Sequence, residues 1–404
     1  MISDVSFPRV NGVSTSIATS RQSLAELGHQ STLIAPAYPT STADDEGVTR
    51  IPSRGVPRDP EDRMMSRRQI DALAPRLLAG AYDAVHIHTP FVAHYAGVAL
   101  ARRLRVPVIE TYHTFFEEYL HHYVPLLPRA ATRWLARRMS VSQCAAVDAL
   151  VVPSRQMLER LRGYGIRTRA EVLPTGVDLA RFRGGDGQAF RRSHGIAPDR
   201  PVLVHISRVA HEKNIDFVVR ALAVIRRQVP DVLLVIAGEG PALAHLKALT
   251  ARLGLEKNVL FVGYLERCGA LLDCYCAGDA FVFASRTETQ GLVLLEALAL
   301  GVPVVSTAVM GTADVLAGVA GAVVAPDEIE GFAASVVTVL GDAELRRRLA
   351  HAAPHDASAW SAVAMATQLA ALYAELATSA GDSRYSSRPS ALATDPACPP
   401  NGSE

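Results

Sequence analysis

The chain has 404 residues, of which 49% are hydrophobic, and its 41 Lys+Arg stand against 40 Asp+Glu for a net charge of +1. That length is too great for one ordinary core and comfortable for two domains, and the apolar content excludes wholesale disorder. The even charge argues against a general nucleic-acid binder, and no run of about 18 uninterrupted apolar residues is present to cross a membrane.

The chain opens Met1-Ile-Ser-Asp-Val-Ser-Phe-Pro, without a basic start followed by an apolar stretch, so no secretory signal is expected and a cytoplasmic location is. A strand begins at residue 1 and meets a turn at Pro8 to Gly12. Only about four residues precede that turn, fewer than the 5–6 of a usual central strand, so the first strand is expected to be clipped, with Met1 an internal methionine read as a start. Short apolar runs at Ser31–Ala35, Ala84–His88, Pro107–Thr111 and Ala149–Pro153 read as buried strands. They alternate with helical segments at Thr15–Leu27, Gln69–Leu78, Ala93–Arg103 and Arg129–Cys144. Such alternation predicts a parallel sheet covered on both faces.

A loop-rich stretch follows, with Pro174-Thr-Gly-Val-Asp178, Phe182 and Gly184-Gly-Asp-Gly187. The alternation then restarts, with strands predicted at Val202–Ser207, Val232–Gly238, Val259–Val262, Ala280–Ala284, Val302–Ser306 and Gly321–Ala325. The expected architecture is α/β, two Rossmann-like doubly wound domains at 1–178 and 179–356 facing a cleft. Ligands in such sheets sit at the C-terminal ends of the strands. A last helical segment at Ala357–Thr378, with Trp360 and Tyr373, packs either on the second domain or back on the first. Residues 380–404 are rich in Ser, Pro and Gly and read as a disordered tail.

The five cysteines, at 144, 268, 274, 276 and 398, are odd in number and scattered, which suits a reducing compartment and no disulfide framework. Cys274-Tyr-Cys276 is half of a zinc pattern without its other half, inside a helical run. No Asp-x-Asp triplet occurs, so nothing suggests a nucleotide-bound divalent metal and no cofactor is expected.

Chemistry concentrates after two strands of the second half. Arg208 and Lys213 follow Val202–Ser207, and two cations at a strand end before a helix suit a diphosphate, although a solvated basic loop reads the same way. After Ala284 comes Ser285-Arg-Thr-Glu-Thr-Gln-Gly-Leu292, where Thr287 to Gly291 opens a helix whose free N–H groups can hold an anion. Glu288 lies in that loop and Glu296 on the apolar helix behind it. A carboxylate there is costly unless paired. The two either grip the hydroxyls of one glycosyl nucleotide, or serve as a helix cap and the partner of a neighbouring Arg.

Taken in order, Pro174-Thr-Gly-Val-Asp178, Arg208 with Lys213, Gly238-Glu-Gly-Pro241 and Glu288-x7-Glu296 resemble the retaining family 4 glycosyltransferases of GT-B fold, from Pro8 to about Tyr373. The resemblance implies that Arg208 and Lys213 bind the diphosphate and that Glu296 holds the ribose. It implies that Glu288, with the amides of Thr289, Gln290, Gly291 and Leu292, grips the donor sugar. Gly12 resembles the glycine loop that approaches the diphosphate from the first domain, and the base would lie near Val262 to Leu265, beside Tyr264. The chain departs from the family pattern in three places: Gln290 replaces an aromatic, Thr175 an Asn and Asn214 a Gly.

His113, in Glu110-Thr-Tyr-His-Thr-Phe-Phe-Glu-Glu-Tyr-Leu-His-His-Tyr, ends a first-domain strand at the cleft. This pattern is similar to the branch that glycosylates diacylglycerol and, more loosely, to lipid-directed mannosyltransferases. His113 would then contact donor sugar or acceptor hydroxyl, with Glu117 and His121 on the acceptor side. His86-Ile-His88 sets two imidazoles on one strand face, beside the cleft more readily than around a metal. Arg129, Arg133, Trp134, Arg137 and Arg138 form a basic, Trp-bearing helical face that suits an anionic membrane surface, or simply solvent.

The expected activity is metal-independent, retaining transfer of a hexose from a nucleotide-diphosphate sugar, of UDP-glucose or GDP-mannose type, to a hydroxyl of a membrane lipid such as diacylglycerol. The protein would act at the inner face of the cytoplasmic membrane. The rival readings are transfer to a soluble or polyprenyl-linked glycan, a GT-B sugar-nucleotide epimerase, and a binding module without activity. A dinucleotide oxidoreductase fits worse, since no Gly-x-Gly-x-x-Gly follows the first strand.

Overall fold

The computed structural model describes residues 1–9, 11–39, 47–56, 59–113, 129–266 and 269–386. Short apolar runs become strands because burial on both faces demands it. Leu33–Pro36 (β1), Val85–Ile87 (β5), Val108–Thr111 (β6) and Ala149–Val152 (β7) are buried at every position. Between β1 and β5 come Val48–Ile51 (β2) and an antiparallel ribbon of Ser53–Val56 (β3) and Asp59–Met65 (β4). Arg169–Val172 (β8) closes the other edge. All pairs in the main sheet are parallel. The first strand contributes a single bridging residue: Ile2 pairs with Ile34 on one side and Ile87 on the other, joining β2-β1 to β5-β6-β7-β8.

The second sheet runs β11-β10-β9-β12-β13-β14, again all parallel. Its strands are Val202–Ile206 (β9), Leu233–Ala237 (β10), Val259–Gly263 (β11), Ala280–Phe283 (β12), Val304–Ser306 (β13) and Ala322–Val324 (β14). Apolar clusters fill both faces of this sheet: Leu222, Leu234 and Phe332 on one, Tyr275, Phe281 and Leu298 on the other. The order reverses beside β9, so the turn after β9 opens at the switch point of the sheet.

All ten apolar runs named above are strands. The elements that sequence reading missed are the edge pieces β2 and β8 and the β3–β4 ribbon. Their residues are polar enough to lack a buried signal: β8 reads Arg-Ala-Glu-Val and alternates between exposed and half-buried. The predicted helix Gln69–Leu78 is two, Arg67–Ala72 and Ala74–Leu78, because Pro75 has no N–H to continue the ladder.

The chain crosses between the domains twice, and the two crossings pair. Val177 N donates to Trp360 O at 2.8 Å and Ala362 N to Val177 O at 2.9 Å, so residues 174–178 lie strand-like against 359–362. Gly176 permits this approach: a Cβ there would stand 2.4 Å from Ala362 Cα. The crossing separates the helix Ala343–Ser358 from the last helix, Ala362–Ser386. That last helix returns to the first domain, setting Leu369, Leu372 and Leu376 against Leu24, Ile109 and Ala149. It continues into the segment read as a tail from residue 380; residues 387–404 lie outside the described residues.

Candidate active site at the ends of β9 and β12

The turn after β9 is shaped by a close backbone approach. Gly238 has φ +128, and a Cβ on it would fall 1.9 Å from Ser207 O. Val209 N then donates to Glu239 O and Ala242 N to Val209 O, fixing the β9 turn against the Gly238-Glu-Gly240 loop. Residues His211–Lys213 form one turn of 3-10 helix, which ends on Asn214 at φ 54, ψ 35. This left-handed position explains the departure from glycine, since Asn is the side chain that best tolerates it. Asn214 Nδ2 donates to Ala284 O at 2.9 Å, and Thr287 Oγ1 to Glu212 O at 3.2 Å, lacing the β9 turn to the β12 loop.

The lacing brings two of the expected residues into contact. Lys213 Nζ stands 2.5 Å from Glu288 Oε1, with both side chains mostly buried. Arg208 reaches out beside them, its side chain 58% exposed and 3.6 Å from Glu212. Screening leaves that exposed pair weak, so the guanidinium can exchange Glu212 for an incoming anion at small cost. Behind the turn His205 is fully buried, its Nδ1 against Val282 O and its Nε2 against Ser207 Oγ, both at 2.9 Å. Burial pushes its pKa down to about 4, so it is a neutral strut. Sequence reading passed over it because it sits within an otherwise apolar strand.

Glu296 is buried on the helix Leu292–Ala299 and accepts from the Tyr275 hydroxyl at 2.8 Å. This tyrosine is thus a partner that offsets the burial of the carboxylate. Tyr275 comes from the Cys274-Tyr-Cys276 segment, a helix whose Cys274 is buried with its thiol pushed up to about 12 by burial. Among the described residues no trio of His, Cys, Asp or Glu is grouped to hold a metal. Gly291, at φ 93, starts the helix, and Gly311 N donates to Glu288 O, holding Glu288 and Thr289 beside the first turn where Leu292 begins. After β11, Tyr264 is 54% exposed and Leu265 half-buried.

The side chain of Gln290 is engaged by the linker, while its backbone amide is the group expected to meet the donor: Oε1 accepts from Thr175 N at 2.8 Å and Nε2 donates to Thr175 O at 2.7 Å. A buried carboxamide seeks partners for both of its ends, and the linker backbone supplies them.

On the first domain Gly12 is the first residue of the helix Gly12–Glu26, capped reciprocally by Asn11 and Ser14, and nothing lies within 4 Å of where its Cβ would be. His113 follows β6 and pairs its Nε2 with His88 Nδ1 at 3.1 Å. His86 lies close by, its ring tilted against that of His88 at 4.1 Å, and bonds Tyr373 of the last helix and Thr111. Burial drives His113 down to about 4 and His86 and His88 well below the usual value, so the trio is neutral. His88 Nε2 has no hydrogen-bond partner among the described residues. The trio lines a crevice with Ser16 and Thr175, at the strand ends that face the second domain. Glu117 and His121 lie outside the described residues. Asp4, which sequence reading did not single out, is buried just after the Ile2 bridge, accepting from the Thr89 hydroxyl and from Ala93 N in the first turn of the helix Val92–Leu104. Burial raises its pKa to about 6.

Two Rossmann-like domains joined by a paired crossing, with a cation–carboxylate cluster at the switch point, define a GT-B glycosyltransferase. The family model described as Glycosyltransferase Family 4 matches residues 10–181, and that described as Glycosyl transferases group 1 matches 186–356. An alpha-monoglucosyldiacylglycerol synthase of Streptococcus pneumoniae is 33% identical over 76% of this chain and 70% of its own. A GDP-mannose-dependent alpha-mannosyltransferase of Mycobacterium tuberculosis is 29% identical over 78% of this chain and 80% of its own. Among solved structures, Anabaena HepE in complex with UDP-glucose superposes with a TM-score of 0.72 at 19% identity, covering 93% of this chain and 99% of that one. The chain belongs to glycosyltransferase family 4 and is a hexosyltransferase.

Proposed function

We propose that the enzyme transfers a hexose, with retention and without a metal, from a nucleotide-diphosphate sugar to a hydroxyl of diacylglycerol or a similar membrane lipid. The observation that carries the donor reading is the contact of Lys213 with Glu288 beside a largely exposed Arg208. A donor diphosphate fits between the two cations, Glu288 is left to accept from sugar hydroxyls, and Glu296, steadied by Tyr275, accepts from the ribose. As the bond from C1 to the diphosphate oxygen breaks, negative charge grows on the leaving phosphate and C1 gains oxocarbenium character. Fixed cations aimed at that charge supply the main stabilisation. The acceptor oxygen bonds to C1 from the face the diphosphate leaves, and its proton passes to the leaving phosphate. Neutral His113 orients the reacting hydroxyls. Closure of the cleft expels water that would hydrolyse the donor.

The pneumococcal relative, an alpha-monoglucosyldiacylglycerol synthase, supports a glucosyl donor and a diacylglycerol acceptor, and the mycobacterial relative, a GDP-mannose-dependent mannosyltransferase, supports a GDP-mannose alternative. Among the described residues no helix is long and apolar enough to cross a membrane, so contact with a lipid acceptor would be made from the surface. The test is a product screen by mass spectrometry with UDP-glucose or GDP-mannose, with and without diacylglycerol vesicles. A glycolipid formed only with vesicles is expected. Donor hydrolysis without glycolipid would move the acceptor to a soluble or polyprenyl-linked glycan, and donor isomerisation would favour an epimerase.

A further inference from the structure

Two of the three departures from the family pattern are one structural unit. Gln290, two residues after Glu288 in the donor loop, presents a planar carboxamide to the N–H and C=O of Thr175, as a neighbouring strand would. Thr175 in turn shares a 2.7 Å hydrogen bond between its hydroxyl and Ser16 Oγ, one turn into the helix that begins at Gly12. Gln290 and Ser16 are both buried. Thr175 lies two residues from the Val177–Ser361 bridge that joins the two crossings. A continuous set of hydrogen bonds therefore runs from the donor loop, through the inter-domain linker, to the first-domain helix that faces the cleft.

We propose that Gln290 is a positioning residue, which ties the donor loop to the linker and, through the Thr175 hydroxyl, sets that loop in register with the first domain for transfer. The assignment rests on the donor reading above, because the loop's importance depends on Glu288 meeting the sugar. Its logic is geometric. Arg208, Lys213, Glu288 and Glu296 all belong to the second domain, so most of donor binding, the Gly12 loop apart, does not need the tie. Transfer does, because the acceptor side must meet C1 at bonding distance with water excluded. An aromatic at 290 could fill the space and could not bond both groups of Thr175, which would leave two backbone polar groups without partners.

The experiment compares wild type with Gln290→Met, which keeps the length of the side chain and removes both hydrogen bonds, and with Thr175→Val, which removes only the link to Ser16. Donor affinity is measured by titration calorimetry with UDP-glucose and GDP-mannose. Turnover is measured with diacylglycerol vesicles, and the products are divided into glycolipid and free hexose. Gln290→Met is expected to bind donor within about twofold of wild type, to lose about tenfold in kcat, and to release a several-fold larger share as free hexose. Thr175→Val is expected to shift the share in the same direction by less. In Gln290→Glu, activity relative to wild type should rise as pH falls, because the protonated carboxyl again both donates and accepts.

An unchanged kcat and product share in Gln290→Met would overturn the proposal, and so would a loss of donor affinity parallel to kcat, which would make Gln290 a donor ligand. A second measurement is independent of the donor. Deuterium exchange across residues 173–178 should accelerate in Gln290→Met without any substrate, and unchanged exchange there would show that the tie does not hold the linker. Wild type that consumes neither sugar nucleotide would sink the donor reading instead, while the exchange result would still decide whether the tie exists.

Discussion

At the scale of single residues, the site is a set of polar groups that settle one another. Lys213 and Glu288 are both mostly buried and 2.5 Å apart, so neither charge is left alone in the absence of substrate. On the proposed donor reading, a diphosphate arriving at Lys213 would compete with Glu288 for the ammonium and free the carboxylate for sugar hydroxyls, which would couple the two halves of donor recognition. Lys213→Ala should therefore harm both. It removes a cation from the leaving group and leaves Glu288 as a mostly buried carboxylate without that partner. A loss in kcat of more than about tenfold is expected, equivalent to only about 1.4 kcal/mol of transition-state stabilisation, together with weaker donor binding. Steady-state kinetics with either sugar nucleotide check this, and near-wild-type turnover would refute the diphosphate role. Positions of this kind are readable where a motif carries them: Arg208, Lys213, Glu288 and Glu296 stand out by their places after strands and by the family resemblance, and the structure brings Lys213 and Glu288 into contact. What spacing does not contain is direction. Gln290 stands inside the same motif and turns its side chain to the linker at Thr175, and Tyr275 is hidden in a segment notable only for its cysteines.

At the scale of elements, the strands that sequence reading found are those buried on both faces, where a continuous apolar run is required. The ones it missed, β2, β3, β4 and β8, are edge or ribbon pieces carrying Arg, Asp and Glu, and nothing in such short stretches separates them from loops. The last helix shows a different limit. Its apolar residues announce a helix, but its docking surface on Leu24, Ile109 and Ala149 is assembled from three separate parts of the chain. The helix is anchored by Leu369 and Leu372, each 5% exposed, and by the Tyr373 hydroxyl on His86. Leu369→Ala empties a buried site between the helix and the first sheet and should cost about 2–5 kcal/mol, the range for large-to-small changes in cores. Urea unfolding would report this as a lower midpoint, and an unchanged midpoint would mean that the helix is not docked there in solution.

At the scale of the whole molecule, charge is divided between the halves. Residues 1–180 carry a net +4 and the remainder −3. The basic half is the one that a lipid acceptor would have to meet, and it bears the helix Arg129–Cys144, on which Trp134 is 63% and Leu135 40% exposed. Arg138 stacks over the Trp134 ring at 5.7 Å, so cation and indole stand on the same face. An indole at the headgroup level with arginines beside it gains on both counts, about 1 kcal/mol for each Arg near an anionic surface and more from the apolar area withdrawn from water. If the acceptor lies in a membrane, the double variant Trp134→Ala/Arg138→Ala should lose severalfold in sedimentation with vesicles containing anionic lipid. Its activity on a detergent-dispersed acceptor should stay close to that of wild type, since neither residue belongs to the donor cluster. The electrostatic share should fade when salt is raised from low to physiological strength, because the screening length shrinks toward 8 Å. Equal sedimentation of the two proteins would remove this helix as the docking face, and loss of activity on dispersed acceptor as well would show that it shapes the acceptor site itself.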